Sequence, residues 1–176
     1  QQEIVTYYED IIKSMRSELN YWVGHVAEAF IRTVMRKHFK NQTVDGAKYF
    51  NHSDDILLSQ FERVYPTKVQ TYGSVQSYQI DVYAMPKDNT HLPWAVEIKN
   101  WQTPVSQTEV RYFWEAARDL ADEHGHAEMV CWLHARSGFT EPARKFMQEK
   151  GILHTDAKLL TTILEDFQVI ERWREP

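Results

Sequence analysis

Apolar and charged residues alternate in two short segments near the middle of the chain. Residues 79–82 are Gln-Ile-Asp-Val, and residues 96–99 are Val-Glu-Ile-Lys. Successive side chains of a β-strand point to opposite faces of its sheet, so each segment predicts a strand with one apolar and one polar face. If the two strands pair as a hairpin, Asp81, Glu97 and Lys99 converge on one side of one sheet.

The alternation also assigns faces within the first strand. It places Ile80 and Val82 on one face and Gln79, Asp81 and Tyr83 on the other. A half-exposed strand with a solvated face shows the same pattern, so one segment alone does not identify a site. The two segments together are more specific, because two carboxylates and an ammonium at close range suit a hard divalent cation such as Mg²⁺.

The rest of the chain switches between helical and strand-like periodicities. Helices are predicted over 3–16, 17–39 and 157–167, over 106–123 with a capping box at its start, and after the N-cap Thr140. Strands are predicted over 60–71, 78–85, 94–100, 128–134 and 152–154. A turn is predicted at 72–74, and polar, turn-prone residues interrupt the pattern over 43–59. This order predicts an α/β sandwich in which helices flank a central mixed sheet. We expect an N-terminal helix over 1–16 and one domain over 17–176.

Length and composition are typical of a folded globular domain. The chain has 176 residues, of which 43% are hydrophobic and 26% are charged, which argues against disorder. No apolar run is long enough to span a bilayer, so no membrane partner is expected. Cys131, the single cysteine, lies in an apolar run and predicts a buried core residue, and a cytoplasmic location is the expectation. The chain starts at Gln1 without a Met, which indicates a piece of a longer, multidomain chain.

Charge gives mixed indications about a nucleic-acid partner. The net charge of -5 argues mildly against one, although local fields steer a charged ligand more than the total does. A basic cluster occurs near the end of the helix predicted over 17–39 and comprises Arg32, Arg36, Lys37, His38 and Lys40. Arg32 and Arg36, together with Gln79, are candidates for contacts with a substrate phosphate. The alternative is a solvated cationic helix end that complements the helix dipole.

The order of the charged residues resembles that of a known family. An Asp on one strand, followed after one loop by Glu-X-Lys on the next, is similar to the PD-(D/E)XK nuclease superfamily, which has the restriction-endonuclease-like fold. Ile80-Asp81 stands where that family has Pro-Asp. The stretch 137–140, Ser-Gly-Phe-Thr, followed by 150–152, Lys-Gly-Ile, resembles the last part of Mrr-type domains. The resemblance extends over about 17–165 by the order of predicted elements.

The resemblance implies a Mg²⁺-dependent endonuclease that hydrolyses phosphodiester bonds. Mn²⁺ would be able to replace Mg²⁺, and the nucleic-acid partner would be DNA rather than RNA. Asp81, Glu97, the Ile98 carbonyl and Glu28 would hold the metal ion. Lys99 would hold the attacking water or stabilise the charge that develops on the phosphate.

Several alternatives stay open at this point. Glu28 and Arg32 are also spaced as an i,i+4 ion pair on a helix surface, which requires no site. A nuclease-like domain that binds nucleic acid or protein without cutting shares the fold, and a resolvase of branched DNA shares the residues. The sequence also leaves open whether the protein forms a homodimer.

Overall fold

The molecule is built on a five-stranded mixed sheet that helices cover on both faces. The computed structural model describes residues 2–70 and 77–170 and, within them, every side chain except those of residues 2–5, 7–8 and 19–22. In chain order the elements are α1 (Gln2–Lys37), β1 (Gln42–Val44), α2 (Gly46–Tyr49), β2 (Ile56–Leu58), β3 (Phe61–Gln70), β4 (Ser77–Pro86), β5 (Trp94–Lys99), α3 (Gln107–Glu123), β6 (Val130–Ala135), α4 (Glu141–Lys150), β7 (Leu153–Thr155) and α5 (Ala157–Asp166). The large sheet has the order β3-β4-β5-β6-β7, antiparallel from β3 to β5 and parallel from β5 to β7. The predicted α/β sandwich with a mixed central sheet is confirmed.

Each face of the large sheet has its own apolar core. The α3 face, which α3 and α4 cover, is formed by residues that include Tyr83, Ala95, Leu133, Phe113 and Met147. The α1 face, which α1 and α5 cover, is formed by residues that include Val82, Val96, Trp132, Ile31 and Ile163. Neighbouring residues of β4, β5 and β6 therefore alternate between two buried layers, which explains why these strands are apolar over most of their length.

A single helix, α1, takes the place of the two helices predicted over 3–16 and 17–39. The backbone is helical from Gln2 to Lys37, so the expected separation at residues 16 and 17 is wrong. The physical reason is that no Gly or Pro occurs before Gly24, and a Ser inside a helix costs too little to end it. No break in α1 marks a boundary at residue 17, so the division into an N-terminal helix and a domain from residue 17 stays a prediction.

The segment predicted to interrupt the pattern over 43–59 contains regular structure. β1 and β2 pair as a small antiparallel sheet, and α2 lies between them. Asp45 caps α2 by accepting hydrogen bonds from the backbone N–H groups of Ala47 and Lys48. Gly46 is required there because a Cβ would lie 2.1 Å from the carbonyl oxygen of Asp54. Strands of three residues are too short to show a periodicity, which explains why the sequence does not reveal them.

The later element boundaries follow local signals that the sequence does show. Ser106 accepts a hydrogen bond from the Glu109 N–H at the start of α3, and Thr140 accepts one from the Ala143 N–H at the start of α4. Both predicted helix starts are confirmed. The strand predicted over 128–134 begins two residues later, at Val130, and the turn predicted at 72–74 lies outside the described residues.

Two further expectations concern burial and membranes. Cys131 is buried, so the prediction of a buried core residue is confirmed, and burial raises the pKa of its thiol to about 12. Of the helices that the structure describes, none combines the length and the apolar character needed to cross a membrane.

Candidate functional site

The two strands that carry the acidic residues pair as a hairpin and then separate. The β4–β5 ladder joins Val82 to Val96, and it runs from there towards the hairpin loop. One residue beyond that pair, Asp81 does not continue the ladder. Its Oδ2 instead accepts a hydrogen bond of 2.8 Å from the Ile98 N–H. A side chain thus stands between the strands, and Asp81, Glu97 and Ile98 surround the opening, which we call the fork.

A β-bulge explains the position of Asp81. On β3, Tyr65 and Thr67 are two positions apart, whereas their partners on β4, Tyr83 and Ile80, are three positions apart. The extra residue of β4 therefore lies at positions 81–82, and the alternation of faces is interrupted there. A bulge also leaves a backbone group without its ladder partner, and the Asp81 carbonyl accepts a hydrogen bond of 3.2 Å from Arg32 Nη2.

The bulge changes the faces that the alternation predicted. Ile80 packs in the α3-face core together with Tyr83, whereas Val82 packs in the α1-face core. The expectation that Ile80 and Val82 share a face is therefore wrong, and so is the expectation that Asp81 shares one with Tyr83. Asp81 instead lines a cleft together with residues of α1. The carboxylates of Asp81 and Glu97 approach the fork from opposite faces of the sheet.

Glu97 lies on the α3 face in a nearly closed environment. The residue is 4% exposed, and its Oε1 accepts hydrogen bonds from Lys99 Nζ at 2.6 Å and from the Tyr78 hydroxyl at 3.2 Å. Its other oxygen, Oε2, is buried and has no hydrogen-bond partner among the described residues. A buried carboxylate oxygen without a partner is costly, so its presence indicates a position where a ligand is expected.

Burial disfavours the charged forms of both acids, and a second carboxylate near each of them adds to this effect. Burial, and then the charge of Asp81, raise the pKa of Glu97 to about 7, against the opposing effect of Lys99. Burial is also the main cause that raises the pKa of Asp81, and the charge of Glu28 adds to it. The Ile98 N–H, Lys99 and Arg32 oppose that rise. Two carboxylates that resist ionisation in a common site are stabilised by a cation that both contact.

Glu28 lies at the cleft and also forms the predicted surface pair. Its carboxylate is paired with Arg32 one helical turn away on α1. Glu28 nevertheless lines the same cleft of about 360 Å³ as Asp81 and Ile98. Gly24 brings α1 close to the end of β5, since a Cβ on Gly24 would lie 3.3 Å from Asn100 Cβ. Both interpretations of Glu28 have a geometric basis, and its role stays a prediction.

The three candidates for substrate contacts lie outside the cleft, with Arg32 and Arg36 one turn apart on α1 and Gln79 on β4. Gln79 is exposed on β4, and Arg36 donates to the Val64 carbonyl on the edge strand β3. Arg32 joins α1 to β4 through its bonds to Glu28 and to the Asp81 carbonyl. None of the three is among the residues that line the cleft. Their assignment to phosphate contacts stays a prediction.

Trp101, which lines the cleft next to the fork, is not among the site residues predicted from the sequence. Its side chain is 41% exposed, and Lys99 Nζ lies 5.3 Å from the centroid of its ring. The Trp101 carbonyl accepts a hydrogen bond of 2.6 Å from Ser137 Oγ, which fixes the backbone of this loop. A large aromatic residue two positions after Lys99 in a polar loop was the available signal.

The donor set at the fork fits a hard divalent cation. No cluster of three or more His, Cys, Asp or Glu side chains with metal-binding geometry occurs among the described residues. The fork instead offers the Asp81 carboxylate, Glu97 Oε2 and one backbone oxygen. The Ile98 N–H points to Asp81, and the carbonyl of an extended residue points to the same side as its own N–H, so the Ile98 carbonyl also faces the fork. Oxygen donors of this kind are the ligands that Mg²⁺ and Mn²⁺ prefer.

Both the sequence and the fold are similar to those of known proteins. Residues 53–164 match the Mrr_cat family model, whose description is restriction endonuclease. A segment of 60 residues is 35% identical to receptor activity-modifying protein 3 of Sus scrofa and covers 32% of this chain and 40% of that protein. The crystal structure of the protein of unknown function AF1548 is similar with a TM-score of 0.43 and 18% identity, over 63% of this chain and 64% of that one. An EndoMS–dsDNA2 complex is similar with a TM-score of 0.37 and 16% identity, over 55% of this chain and 37% of that one. The chain thus spans less than two thirds of the length of each of these three relatives.

Proposed function

This chain belongs to the restriction endonuclease family that the Mrr_cat model describes, and from this membership we propose that it is a divalent-metal-dependent endonuclease that hydrolyses phosphodiester bonds in DNA. The observation that carries the proposal is the state of Glu97. One of its oxygens pairs with Lys99, and the other is buried near Asp81 and has no hydrogen-bond partner in the part of the chain that the structure describes. The proposed cation is Mg²⁺, with Mn²⁺ able to replace it.

In this proposal Asp81, Glu97 Oε2 and the Ile98 carbonyl hold the cation, and Glu28 assists from the opposite wall of the cleft. A cation bound there supplies Lewis-acid polarisation of a phosphate oxygen and lowers the pKa of bound water. Asp81 keeps its orientation through the Ile98 N–H. Arg32 stabilises the bulge by donating a hydrogen bond to the Asp81 carbonyl, and this contact fixes the distance between α1 and the fork.

Lys99 has the role of an electrostatic catalyst. Its ammonium is held 2.6 Å from Glu97 Oε1, its side chain is 16% exposed, and the Trp101 ring covers it on one side. An ammonium fixed in this way stabilises the negative charge that develops on the phosphate and can hold the attacking water. Because that charge is larger in the transition state than in the ground state, Lys99 contributes to the rate more than to substrate affinity.

The experiment that tests the proposal measures cleavage of duplex, single-stranded and branched DNA, and of RNA, with Mg²⁺ or Mn²⁺. We expect metal-dependent cleavage of DNA that Lys99→Ala reduces by about 100-fold or more, while DNA affinity changes less than about twofold. Lys87→Ala is the matched control, because Lys87 is an exposed lysine of the β4–β5 loop.

Two results would contradict the proposal. Cleavage by Lys99→Ala at the wild-type rate would remove the fork from the chemistry. Binding of nucleic acid without cleavage of any substrate with either metal would instead identify a nuclease-like binding domain. Calorimetric titration with Mn²⁺ addresses the site separately, since Asp81→Ala is expected to lose most of the affinity that the wild type shows.

A further inference from the structure

A second depression lies beside α1 next to the cleft at the fork. Asn100 and Trp101 line the cleft, and the next residue, Gln102, lines a second depression of about 620 Å³. The other wall of that depression is formed by residues of α1, namely Glu9, Ile12, Lys13, Arg16 and Ser17. These positions are three or four residues apart, and Gly24 and Glu28 follow on the same face two turns later. The two depressions are joined by the consecutive loop residues Trp101 and Gln102, and we call the residues that line them the α1 groove.

The α1 groove places an exposed aromatic ring between the acidic fork and a pair of cations. Trp101 is 41% exposed, and Lys13 and Arg16 are exposed at the far end. Arg16 is twelve residues from Glu28, so the helical rise puts about 18 Å between them along the axis of α1. This distance is longer than one nucleotide and suits a short extended strand that runs from the fork past the ring to the cations.

We propose that the α1 groove binds an unpaired nucleic-acid strand, with one base stacked on Trp101 and backbone phosphates near Lys13 and Arg16. The inference rests on the proposed nuclease function and names its substrate class: single-stranded DNA, or a duplex with an unpaired segment that enters the fork. The ring can stack only on a base whose face is open, and such stacking tolerates any sequence.

The charge of the chain favours a single strand over an intact duplex. Proteins that hold duplex DNA through its backbone commonly neutralise about six to ten phosphates, and this requires a basic surface. The chain has a net charge of -5, and the second depression offers two cations, Lys13 and Arg16, beside one acid, Glu9. Stacking of a base requires no neutralisation of phosphates. An exposed Trp therefore contributes affinity for a single strand that two cations alone do not provide.

Trp101 has a competing role, which is to hold Lys99 in place through the contact of its ring with the ammonium. A second alternative concerns the occupant of the α1 groove. Ile12 is 49% exposed, and an apolar residue of this kind is also suited to contact a protein or a second copy of the chain. The first alternative predicts an effect of Trp101 on the rate of cleavage without an effect on binding. The second predicts self-association, or no affinity for nucleic acid at this surface.

The test measures binding by fluorescence anisotropy of a labelled 20-nucleotide strand and of the matching blunt duplex. EDTA is present, so that no cleavage occurs. The wild type is expected to bind the single strand more tightly than the duplex. Trp101→Ala is expected to weaken single-strand binding by about 5- to 100-fold, the range that stacking of one base contributes, whereas Trp101→Phe retains most of the affinity. Tyr112→Ala is the control, because Tyr112 is 53% exposed on α3, outside the groove.

Salt dependence separates the cations from the ring. Each phosphate contact of a single strand adds about −0.7 to the slope of log affinity against log salt, so Lys13→Gln/Arg16→Gln is expected to make the slope about 1.4 less negative. Trp101→Ala is expected to weaken binding and leave the slope unchanged. Lys87→Gln/Lys158→Gln removes two exposed lysines outside the groove and serves as the matched control for net charge.

Three outcomes overturn the inference. In the first, the wild type binds the duplex as tightly as the single strand or more tightly. In the second, Trp101→Ala binds the single strand with the affinity of the wild type. In the third, the protein forms a concentration-dependent dimer whose sedimentation changes in Lys13→Gln/Arg16→Gln. The nuclease proposal fails in a different way, by an absence of cleavage with either metal while the binding results above are obtained. The two failures are therefore distinguishable, because binding is measured without a divalent cation.

Discussion

Replacement of Glu97 by Gln should stabilise the metal-free protein at alkaline pH. The folded protein raises the pKa of Glu97 from 4.5 to about 7, because the carboxyl is buried next to Asp81. A neutral Glu97 therefore contributes stability that is complete below about pH 4.5 and is lost as the pH rises through 7. Each pKa unit corresponds to about 1.4 kcal/mol, so the ionised carboxylate costs the fold roughly 3 kcal/mol at pH 8.5.

Glu97→Gln removes this cost and keeps the size of the side chain. At pH 8.5 we expect the variant to unfold at a temperature about 5–10 °C above that of the wild type, since about 1 kcal/mol shifts the midpoint by 2–4 °C in a chain of this size. At pH 5 the wild-type carboxyl is protonated in the fold, and the two proteins should differ by about 1 kcal/mol or less. The pKa of Glu97 already includes the favourable effect of Lys99, so the loss of that ion pair is contained in the expected difference.

The assay is thermal unfolding in EDTA at pH 5 and pH 8.5, followed by tryptophan fluorescence. Glu149→Gln is the control, because Glu149 is an exposed acid near the end of α4. In a parallel measurement at pH 8.5 without EDTA, added Mn²⁺ should raise the midpoint of the wild type and not that of Glu97→Gln, because a ligand stabilises the state that binds it. A midpoint of Glu97→Gln that is lower than that of the wild type at pH 8.5, or a difference that does not depend on pH, would refute the reasoning.

Two further predictions concern α1. Glu28→Gln should reduce cleavage at least tenfold and change the free energy of unfolding by less than about 0.5 kcal/mol, whereas Arg32→Gln should destabilise the fold by about 1–3 kcal/mol, because it removes a charged donor from the Asp81 carbonyl. Equal effects of the two variants on cleavage and on stability would reduce Glu28 to a surface partner of Arg32. Gly24→Ala should leave stability unchanged within about 1 kcal/mol, because Ala favours the helix, but it should lower Mn²⁺ affinity several-fold, because the added Cβ pushes α1 away from Asn100. Unchanged Mn²⁺ affinity in a calorimetric titration would show that this approach does not define the site.

Elements with a strong local signal could be predicted from the sequence. The capping residues Ser106 and Thr140 lie where the helices begin, and the strands that carry Asp81 and Glu97 pair as a hairpin. These features depend on the chemistry of neighbouring residues or on periodicity within one strand, and both are present in the linear sequence. The family could be recognised for the same reason, because its motif is a short spacing of charged residues.

Features that depend on tertiary contacts could not be predicted. The continuity of α1 is not visible in a pattern that contains a Ser at a plausible helix start, and β1 and β2 are too short to show alternation. Glu97 Oε2 lacks a partner among the described residues because Tyr78 and Lys99 both donate to Oε1. The exposure of Trp101 depends on how the loop after β5 packs against Ser137, and no residue near Trp101 indicates this contact.

The bulge at positions 81–82 shows why strict alternation is an incomplete guide to a site of this kind. Regular alternation would have put the Asp81 carboxylate in the α3-face core beside Tyr83, where apolar neighbours would oppose its ionisation strongly. One extra residue in β4 moves it to the cleft of α1 while Glu97 stays on the α3 face, so the two acids meet at an opening of the sheet rather than on one of its surfaces. The Ile98 N–H and Arg32 supply the hydrogen bonds that this irregular backbone requires. The order Asp81, Glu97 and Lys99 could therefore be recognised in the sequence from the alternation of apolar and charged residues. The geometry that brings the two acids together depends on the β-bulge, which interrupts that alternation.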